Sequence, residues 1–428
     1  MTGSTARPRS PNRRPSGAAP LDTGARRRVL FVGEGSTLAH AARPIALASA
    51  LPQDRYDIVV ACPEAYFRWI PDRIARAPLA TQPRSRFLSR VANGKPPFDE
   101  ATLHRYVADD LDLIARTRPD IVVGDARISL AASARVAGTP YIALSNAYWH
   151  PPRRFRPEMP VLSWTKRLPT EAMQAVFALT WPLAFGWTAA PIQRALAAYG
   201  IDVGGDMRRA WTEADLTLYA DLPQMFPDVV PDDRYRFLGP LAWEPPVALP
   251  SWWGQVPGER PIAYVTVGSS GDVGALTVIV QALAELGWTA LVATAGRAEI
   301  DAEPGKVFVA EFLPGLMACA KADLVICNGG SPTTTQAMLA GRPVLGVCSN
   351  ADQFLNMQAV EATGAGRTLR ADRLTQQLIG SRLDQLRTPA CAEAARTLAA
   401  DAGDVEPSRI LMDAIDELSA RSERAVRP

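Results

Sequence analysis

The sequence is poor in histidine and cysteine, and its charges nearly balance. It has three His and five Cys in 428 residues, and its formal net charge is +2. The five Cys show no spacing typical of a zinc site or a disulfide framework, so we expect free buried thiols, a reducing cytoplasm and no bound metal. A chain this close to neutrality gives no electrostatic reason to expect nucleic acid as a partner.

Long apolar runs are also missing. Residues 1–28 are mostly Arg, Pro, Ser and Gly, and they contain no apolar stretch of the kind that a secretory signal needs. We expect a disordered tail there, because these residues cannot bury enough surface to offset the entropy of ordering. The most apolar segment, Ala175–Ala190, contains Pro182 and Gly186, and we expect it to be too short for a membrane span.

What the sequence does contain is an alternation of short β-rich runs with helix-length amphipathic segments. This alternation is typical of parallel α/β architecture, and the chain length predicts two domains. The predicted strands are Val29–Gly33, Ile58–Ala61, Ile121–Gly124, Tyr141–Ser145 and Leu216–Tyr219, followed by Ile262–Val267, Ala290–Ala293, Val307–Ala310, Leu324–Cys327 and Val344–Val347.

A Pro-rich, aromatic stretch with little periodicity separates the two series of strands, and we place a linker there at 241–260. The predicted N-terminal domain is 29–240, and the predicted C-terminal domain is 261–405. The last segment, 406–428, is predicted to form a helix that crosses back to the first domain. Two such domains place the loops at the carboxyl ends of their strands on a shared cleft.

The most informative segment runs from Asn328 to Gln353 and reads NGGSPTTTQAMLAGRPVLGVCSNADQ. It begins after a buried strand and continues into a helix predicted at Thr333–Leu339. A Gly-rich turn at this place directs backbone N–H groups and the positive end of a helix dipole at one point, which suits a phosphate. Asp352 and Gln353 follow the next strand, where they can meet the same ligand. The segment therefore predicts a nucleotide-sugar site.

This segment resembles the donor motif of nucleotide-sugar-dependent glycosyltransferases of the two-Rossmann-domain type (GT-B), in the branch that glycosylates natural products, flavonoids and lipids. That motif has His-Gly-Gly, a small-residue turn, an acidic or amide residue, and a later Asp-Gln pair. The resemblance implies an α/β fold with two Rossmann-like domains facing a cleft. The matching positions are Gly329-Gly330, Thr333-Thr334, Gln336, Gly341-x-Pro343 and Asp352-Gln353.

The resemblance also implies roles for these residues. Gln336 would bind the ribose hydroxyls of the donor, and Asp352 and Gln353 would bind its sugar hydroxyls. Phe312 would lie over the base, although plain core packing is the alternative interpretation. The donor diphosphate would be held by Ser269, in a second Gly-Ser turn after a strand, and by Asn328, Gly329, Gly330, Ser331, Thr333 and Thr334.

Two positions depart from the family pattern. Asn328 stands where the family has His, so a neutral donor replaces a group that can carry positive charge. Pro332 stands where Gly is usual and has no backbone N–H to offer an anion. We expect donor binding to survive both changes. They either weaken the stabilisation of the leaving group or mark a variant subfamily.

The first half is predicted to supply the base. His40 lies at the start of the first helix, where the family has a His that deprotonates the acceptor hydroxyl, and imidazole titrates near neutrality. Asp125 follows a predicted strand and would hold the imidazole; a structural His and a helix-capping Asp are the alternatives. Tyr148, Trp149 and His150 are predicted to line an acceptor pocket, with His150 as a substitute base.

The predicted activity is an inverting, metal-independent transfer of a hexose from a UDP- or dTDP-linked donor to a hydroxyl of an apolar small-molecule acceptor, without a cofactor. A non-catalytic sugar-nucleotide-binding or auxiliary protein and a sugar-nucleotide epimerase remain alternatives. A nicotinamide oxidoreductase would need a third Gly after Gly33-x-Gly35, which is missing. Asp110-Leu111-Asp112 is expected to be a solvated helix face rather than a metal motif. Basic residues beside the apolar segment leave peripheral contact with the inner face of a membrane open, and the oligomeric state stays open.

Overall fold

The computed structural model describes residues 26–165, 169–268 and 270–426, which form two parallel sheets with helices on both faces. The first sheet has the strand order β3-β2-β1-β4-β5-β6-β7 and the second β10-β9-β8-β11-β12-β13. The strands are β1 (Arg27–Gly33), β2 (Tyr56–Cys62), β3 (Ala75–Pro78), β4 (Ile121–Asp125), β5 (Tyr141–Ser145), β6 (Leu216–Tyr219), β7 (Tyr235–Phe237), β8 (Ile262–Thr266), β9 (Thr289–Ala293), β10 (Val307–Ala310), β11 (Leu324–Cys327), β12 (Val344–Cys348) and β13 (Gly366–Arg370).

Helices connect these strands and cover both sheets. They are α1 (Leu38–Ala50), α2 (Arg84–Ala92), α3 (Glu100–Thr117), α4 (Leu130–Ala137), α5 (Thr170–Ala197), α6 (Met207–Ala210), α7 (Val273–Glu285), α8 (Gly315–Lys321), α9 (Ser331–Leu339), α10 (Ala351–Ala362), α11 (Gln376–Leu386), α12 (Pro389–Gly403) and α13 (Pro407–Val426).

The predicted α/β fold with two Rossmann-like sheets is confirmed, and each of the ten predicted strands is present. The prediction missed β3, β7 and β13. All three lie at sheet edges. An edge strand is covered on fewer sides and needs fewer apolar residues, so its sequence carries a weaker signal. The expectation of free buried thiols is also confirmed, since all five cysteines are buried and unpaired.

Both ends of the described chain lie at the first sheet: the N-terminal end forms one of its strands, and the C-terminal helix packs on it. Strand β1 begins at Arg27, so the predicted tail of 1–28 is two residues too long at its end; residues 1–25 lie outside the described part. Helix α13 packs on the first sheet through Leu411, Ile415 and other apolar residues of one face. The guanidinium of Arg236 on β7 also forms an ion pair of 2.6 Å with Glu417 of α13.

Helix α5 corrects the expectation that the apolar segment Ala175–Ala190 is too short for a membrane span. That segment lies inside a helix of 28 residues, which by length and composition alone could cross a membrane. Pro182 and Pro191 lie within this helix and do not end it. Its last third is packed in the interior, where Ile192 and other apolar residues join a core cluster with α3.

Candidate active site

A cavity of about 640 Å³ lies between the two sheets, at the carboxyl ends of their central strands. Both halves of the chain line it. His40 and Asp125 come from the first half, and the loop after β11 and Asp352 come from the second. The segment between the sheets contributes too, through Trp243, which the sequence analysis did not single out.

His40 and Asp125 form a hydrogen-bonded pair in this cavity. The loop after β1 leads into the first turn of α1, which carries His40, and Asp125 is the last residue of β4. Nδ1 of His40 lies 2.9 Å from Oδ1 of Asp125. The imidazole is 24% exposed, whereas the carboxylate is fully buried. With Nδ1 facing Asp125, Nε2 is the ring nitrogen left to meet a ligand.

Arg43 holds the same carboxylate, one helical turn after His40. Its Nε donates to Oδ2 of Asp125 at 2.6 Å and its Nη2 to Oδ1 at 2.9 Å. Burial by itself raises the pKa of Asp125, but the positive charge of Arg43 and the hydrogen bond with His40 outweigh it, so this pKa lies below its ordinary value. Asp125 is therefore ionised at neutral pH. The sequence signal that could have identified Arg43 is its position three residues after His40 on α1, which places both side chains on the same face of the helix.

A second carboxylate lies behind this pair. Nη1 of Arg43 donates to Oδ1 of Asn146 at 2.7 Å, and Nδ2 of Asn146 donates to Asp221 at 3.0 Å. The backbone N–H of Ala147 donates to the other oxygen of Asp221. Burial raises the pKa of Asp221 to about 6. The network thus fixes the loop after β5 against α1, and the sequence analysis missed Asn146 and Asp221.

The loop after β11 is a tight turn fixed by a glycine and by Asn328. Gly329 has φ +80, and a Cβ there would lie 2.5 Å from Sγ of Cys348, so only glycine fits. Oδ1 of Asn328 accepts the N–H of Gly330 at 3.1 Å, and its Nδ2 donates to Oγ of Ser270 at 3.1 Å. Asn328 therefore fixes the shape of both small-residue turns.

Helix α9 begins at Ser331, two residues before the predicted start. Pro332 consequently lies in the first turn, where the missing N–H costs no intrahelical hydrogen bond and the fixed φ suits a helix. This explains how the chain tolerates Pro332 at a place where the family has Gly.

The predicted diphosphate residues divide into two groups. Asn328, Gly330, Ser331 and Thr333 line the cavity. The hydroxyl of Thr334 turns inward instead and donates to backbone carbonyls of the same turn. Asn356 further ties down this turn, because its Nδ2 donates to the carbonyl of Gly329 at 2.8 Å. Ser269 lies outside the described residues, and its neighbour Ser270 lines the cavity.

Gln336 and Phe312, predicted at the ribose and base, also line the cavity. Nε2 of Gln336 donates to the carbonyl of Trp243 at 2.9 Å, which uses one of its two N–H groups and leaves the other N–H and the amide oxygen for a ligand. This contact joins the wall formed by the second half of the chain to the segment between the sheets.

The neighbours Asp352 and Gln353 have different surroundings in the structure. Oδ1 of Asp352 accepts from the hydroxyl of Tyr148 at 2.9 Å and from Nε1 of Trp149 at 3.2 Å, which links the two halves across the cavity. Gln353 is buried, and its Oε1 accepts the N–H of Asn350 in the capping box of α10. The predicted sugar contact of Gln353 is therefore corrected: its side chain completes the start of a helix.

His150 is also placed differently from the prediction. It does not line the cavity; it is buried with Nδ1 2.9 Å from the hydroxyl of Tyr219, and the rings of Tyr219 and Tyr235 pack at right angles to its own. Burial lowers its pKa. Tyr148 and Trp149 line the cavity as predicted. Further aromatic lining comes from Tyr66, Trp69, Phe87, Phe177, Phe185, Trp187 and Trp211.

Asp110 is buried, which corrects the expectation of a solvated helix face at that residue, whereas Asp112 is exposed as expected. Its Oδ1 accepts from Nε of Arg127 at 3.0 Å, and Arg127 also pairs with Glu34 in the loop after β1. These three charged side chains are fully enclosed and anchor the loop that leads into α1 and His40. Within the described ranges, no group of three or more His, Cys, Asp or Glu side chains is arranged to hold a metal.

Comparison with known proteins identifies the family of this chain. Residues 278–416 match the family model described as erythromycin biosynthesis protein CIII-like, C-terminal domain. The chain is 42% identical over 385 residues to the PGL/p-HBAD biosynthesis glycosyltransferase of Mycobacterium tuberculosis (strain ATCC 25177 / H37Ra), covering 89% of this chain and 90% of the relative. The chain belongs to the UDP-glycosyltransferase-like family of glycosyltransferases.

Two further similarities bear on this enzyme. It is 42% identical over 371 residues to the PGL/p-HBAD biosynthesis rhamnosyltransferase of Mycobacterium bovis (strain BCG / Pasteur 1173P2), covering 86% of this chain and 82% of the relative. The structure of spinosyn rhamnosyltransferase SpnG complexed with thymidine diphosphate covers 90% of this chain and 99% of its own, with a TM-score of 0.62 and 16% identity. At that identity the likeness concerns the fold, which is the GT-B fold.

Proposed function

We propose that this glycosyltransferase moves a sugar from a nucleoside-diphosphate donor to a hydroxyl of an apolar acceptor, with inversion and without a metal or cofactor. The observation that supports it is that the His40–Asp125 pair and the loop at Asn328–Thr333 line one cavity. A base and an anion-binding loop on facing walls are the two groups that a single displacement at an anomeric carbon requires.

In the proposed reaction, Nε2 of His40 takes the proton of the acceptor hydroxyl. The acceptor oxygen forms a bond to the anomeric carbon as the bond from that carbon to the diphosphate oxygen breaks, and the nucleoside diphosphate leaves with the electron pair. Attack opposite the leaving group inverts the configuration. Asp125, ionised and 2.9 Å from Nδ1, stabilises the imidazolium and fixes the tautomer of His40.

The leaving diphosphate would meet the first turn of α9. Its free N–H groups and the positive end of the helix dipole favour negative charge, and Asn328 shapes the loop without adding charge. Asp352 would accept from sugar hydroxyls through Oδ2, since Oδ1 already accepts from Tyr148 and Trp149. Gln353 would act indirectly, by holding the start of α10.

The donor is proposed to be a dTDP- or UDP-linked hexose, with a deoxyhexose such as rhamnose as the first candidate. One relative is named a rhamnosyltransferase, and one structural neighbour is described with thymidine diphosphate. The apolar, aromatic lining on the side of the first sheet supports an apolar acceptor. We place the reaction in the cytoplasm, at the inner face of the membrane.

The test combines a donor screen with one variant and one matched control. Wild-type protein is assayed with dTDP- and UDP-sugars and hydroxylated apolar acceptors, and the anomeric configuration of the product is read by NMR. His40→Ala should lower kcat by about 10²–10⁴-fold while donor affinity changes little, because a base is lost and the donor loop is intact. His104→Ala is the control, since His104 is an exposed helix residue near Glu100.

Four outcomes would contradict the proposal. Near wild-type activity of His40→Ala would remove the base assignment. Conversion of a nucleotide sugar without an acceptor would favour the epimerase, and donor binding without turnover of any acceptor would favour the auxiliary protein. Activity that chelators abolish would overturn the metal-independent mechanism.

A further inference from the structure

The outward face of α5 is an apolar stripe. Val176, Leu179, Leu183 and Trp187 are 55%, 84%, 76% and 55% exposed, and their spacing of three and four residues places them on one side of the helix. No charged residue occurs from Ala172 to Gln193. Single exposed apolar residues are ordinary, but a continuous stripe of this kind marks an interaction surface.

The opposite face of α5 lines the cavity. Phe177, Ala184, Phe185 and Thr188 contribute to its wall, and Trp187 belongs both to the wall and to the outer stripe. The exposed stripe is therefore separated from the acceptor side of the cavity by the thickness of one helix. Whatever covers the stripe lies next to the place where an apolar acceptor would enter.

Three exposed arginines lie near this helix. Arg154 adjoins Phe155, whose ring packs 4.8 Å from that of Trp181 on α5. The guanidinium of Arg209 lies beside Gly204, and Gly186 of α5 faces the carbonyl of the next glycine. At the N-terminal end of α5, Nε of Arg373 donates to Oγ1 of Thr170 at 2.7 Å. Glu171 is the single acidic residue of the helix.

We infer that α5 lies flat on an anionic lipid bilayer, with the outer stripe in the acyl boundary and the arginines at the headgroups. An uncharged apolar face with basic residues at its edges has the chemistry of an interfacial helix. The helix rests on the bilayer instead of crossing it, because its inner face packs on the cavity wall and its last third is in the core. Docked in this way, the enzyme receives a lipid-borne acceptor directly; that last step rests on the proposed function.

The experiment measures co-sedimentation of the full chain with vesicles of phosphatidylcholine alone or mixed with phosphatidylglycerol. We expect binding to the mixed vesicles, weakened by salt, and at least tenfold weaker binding by Leu179→Glu/Leu183→Glu. The matched control, Val136→Glu/Val230→Glu, changes two residues that are 55% and 75% exposed elsewhere and should bind like wild type. Leu179 and Leu183 do not line the cavity, so transfer to a short, soluble acceptor should be unchanged in both variants.

No vesicle binding by the wild type, or an equal loss in both variants, would overturn the inference. So would a wild-type dimer in analytical ultracentrifugation that Leu179→Glu/Leu183→Glu converts to monomers, because a second copy would then cover the stripe. Vesicle binding needs no turnover, so an enzyme that binds as expected but transfers no sugar would contradict the proposed function alone.

Discussion

Replacing Arg43 and Asp125 singly and together should separate catalysis from folding. Asp125→Asn leaves the buried guanidinium of Arg43 without the carboxylate that it contacts at 2.6 and 2.9 Å. Among the residues that the structure describes, Arg43→Met leaves that fully buried carboxylate with His40 as its one charged or ionisable neighbour in hydrogen-bond contact. Removing one partner of a buried ion pair costs about 3–5 kcal/mol, whereas removing both can be nearly neutral. We expect each single variant to lose that much unfolding free energy and Arg43→Met/Asp125→Asn to recover most of it.

Activity should follow a different pattern. Asp125→Asn and the double variant both leave His40 without its anionic partner, so each should lose about 10²–10⁴-fold in kcat/KM. Arg43→Met keeps the contact of 2.9 Å between His40 and Asp125, so it should retain more activity than either of them at a temperature where all are folded. The double variant is thus expected to be stable and inactive.

The assay is urea unfolding at pH 7 together with kcat/KM for the best donor and acceptor. Because the pKa of Asp125 lies below its ordinary value of 3.8, its stabilising contribution is complete at neutral pH and is lost only as pH falls below that value. A double variant as unstable as the two single variants would show that the pair is not coupled. A double variant with wild-type activity would refute the idea that Asp125 orients His40.

Three further predictions use other parts of the site. The raised pKa of Asp221, about 6, means that its contribution to stability is complete below pH 3.8 and is lost as pH rises through 6. The wild type should therefore lose roughly 2 kcal/mol of unfolding free energy between pH 4 and 7 that Asp221→Asn does not lose, which urea titrations at several pH values would measure. Asp352→Ala removes the acceptor for Tyr148 and Trp149, and it should weaken nucleotide-sugar binding about tenfold while binding of the bare nucleoside diphosphate stays the same. Calorimetry that shows an equal loss of affinity for both ligands would contradict a role of Asp352 at the sugar. Gly329 has a positive φ, and Gly329→Ala places a Cβ 2.5 Å from a cysteine sulfur, so this variant should destabilise the protein by about 1–3 kcal/mol and weaken donor binding. An unchanged melting temperature and an unchanged donor affinity would show that the turn can rearrange.

The sequence alone determined the features that depend on neighbouring residues. Strands β1 and β11, the Gly-rich turn after β11 and helix α9 follow from apolar runs, glycines and capping signals within a few residues of one another. The alternation of strands and helices predicted two parallel α/β domains, because the carboxyl ends of parallel strands meet at one edge of a sheet and can share a cleft. The roles of His40 and Asp125 and the Rossmann-like character of the domains came from the resemblance to GT-B glycosyltransferases.

Only the tertiary structure decided which of these residues share a contact. Asp125 lies 82 positions from Arg43 and 85 from His40, so no local pattern could show that one carboxylate serves both. The two neighbours at the donor motif illustrate the same limit: Asp352 reaches across to Tyr148, 204 positions away, while Gln353 turns back to cap its own helix. Residue type and spacing predict what a side chain can bind, but burial and long-range packing select the partner that it has.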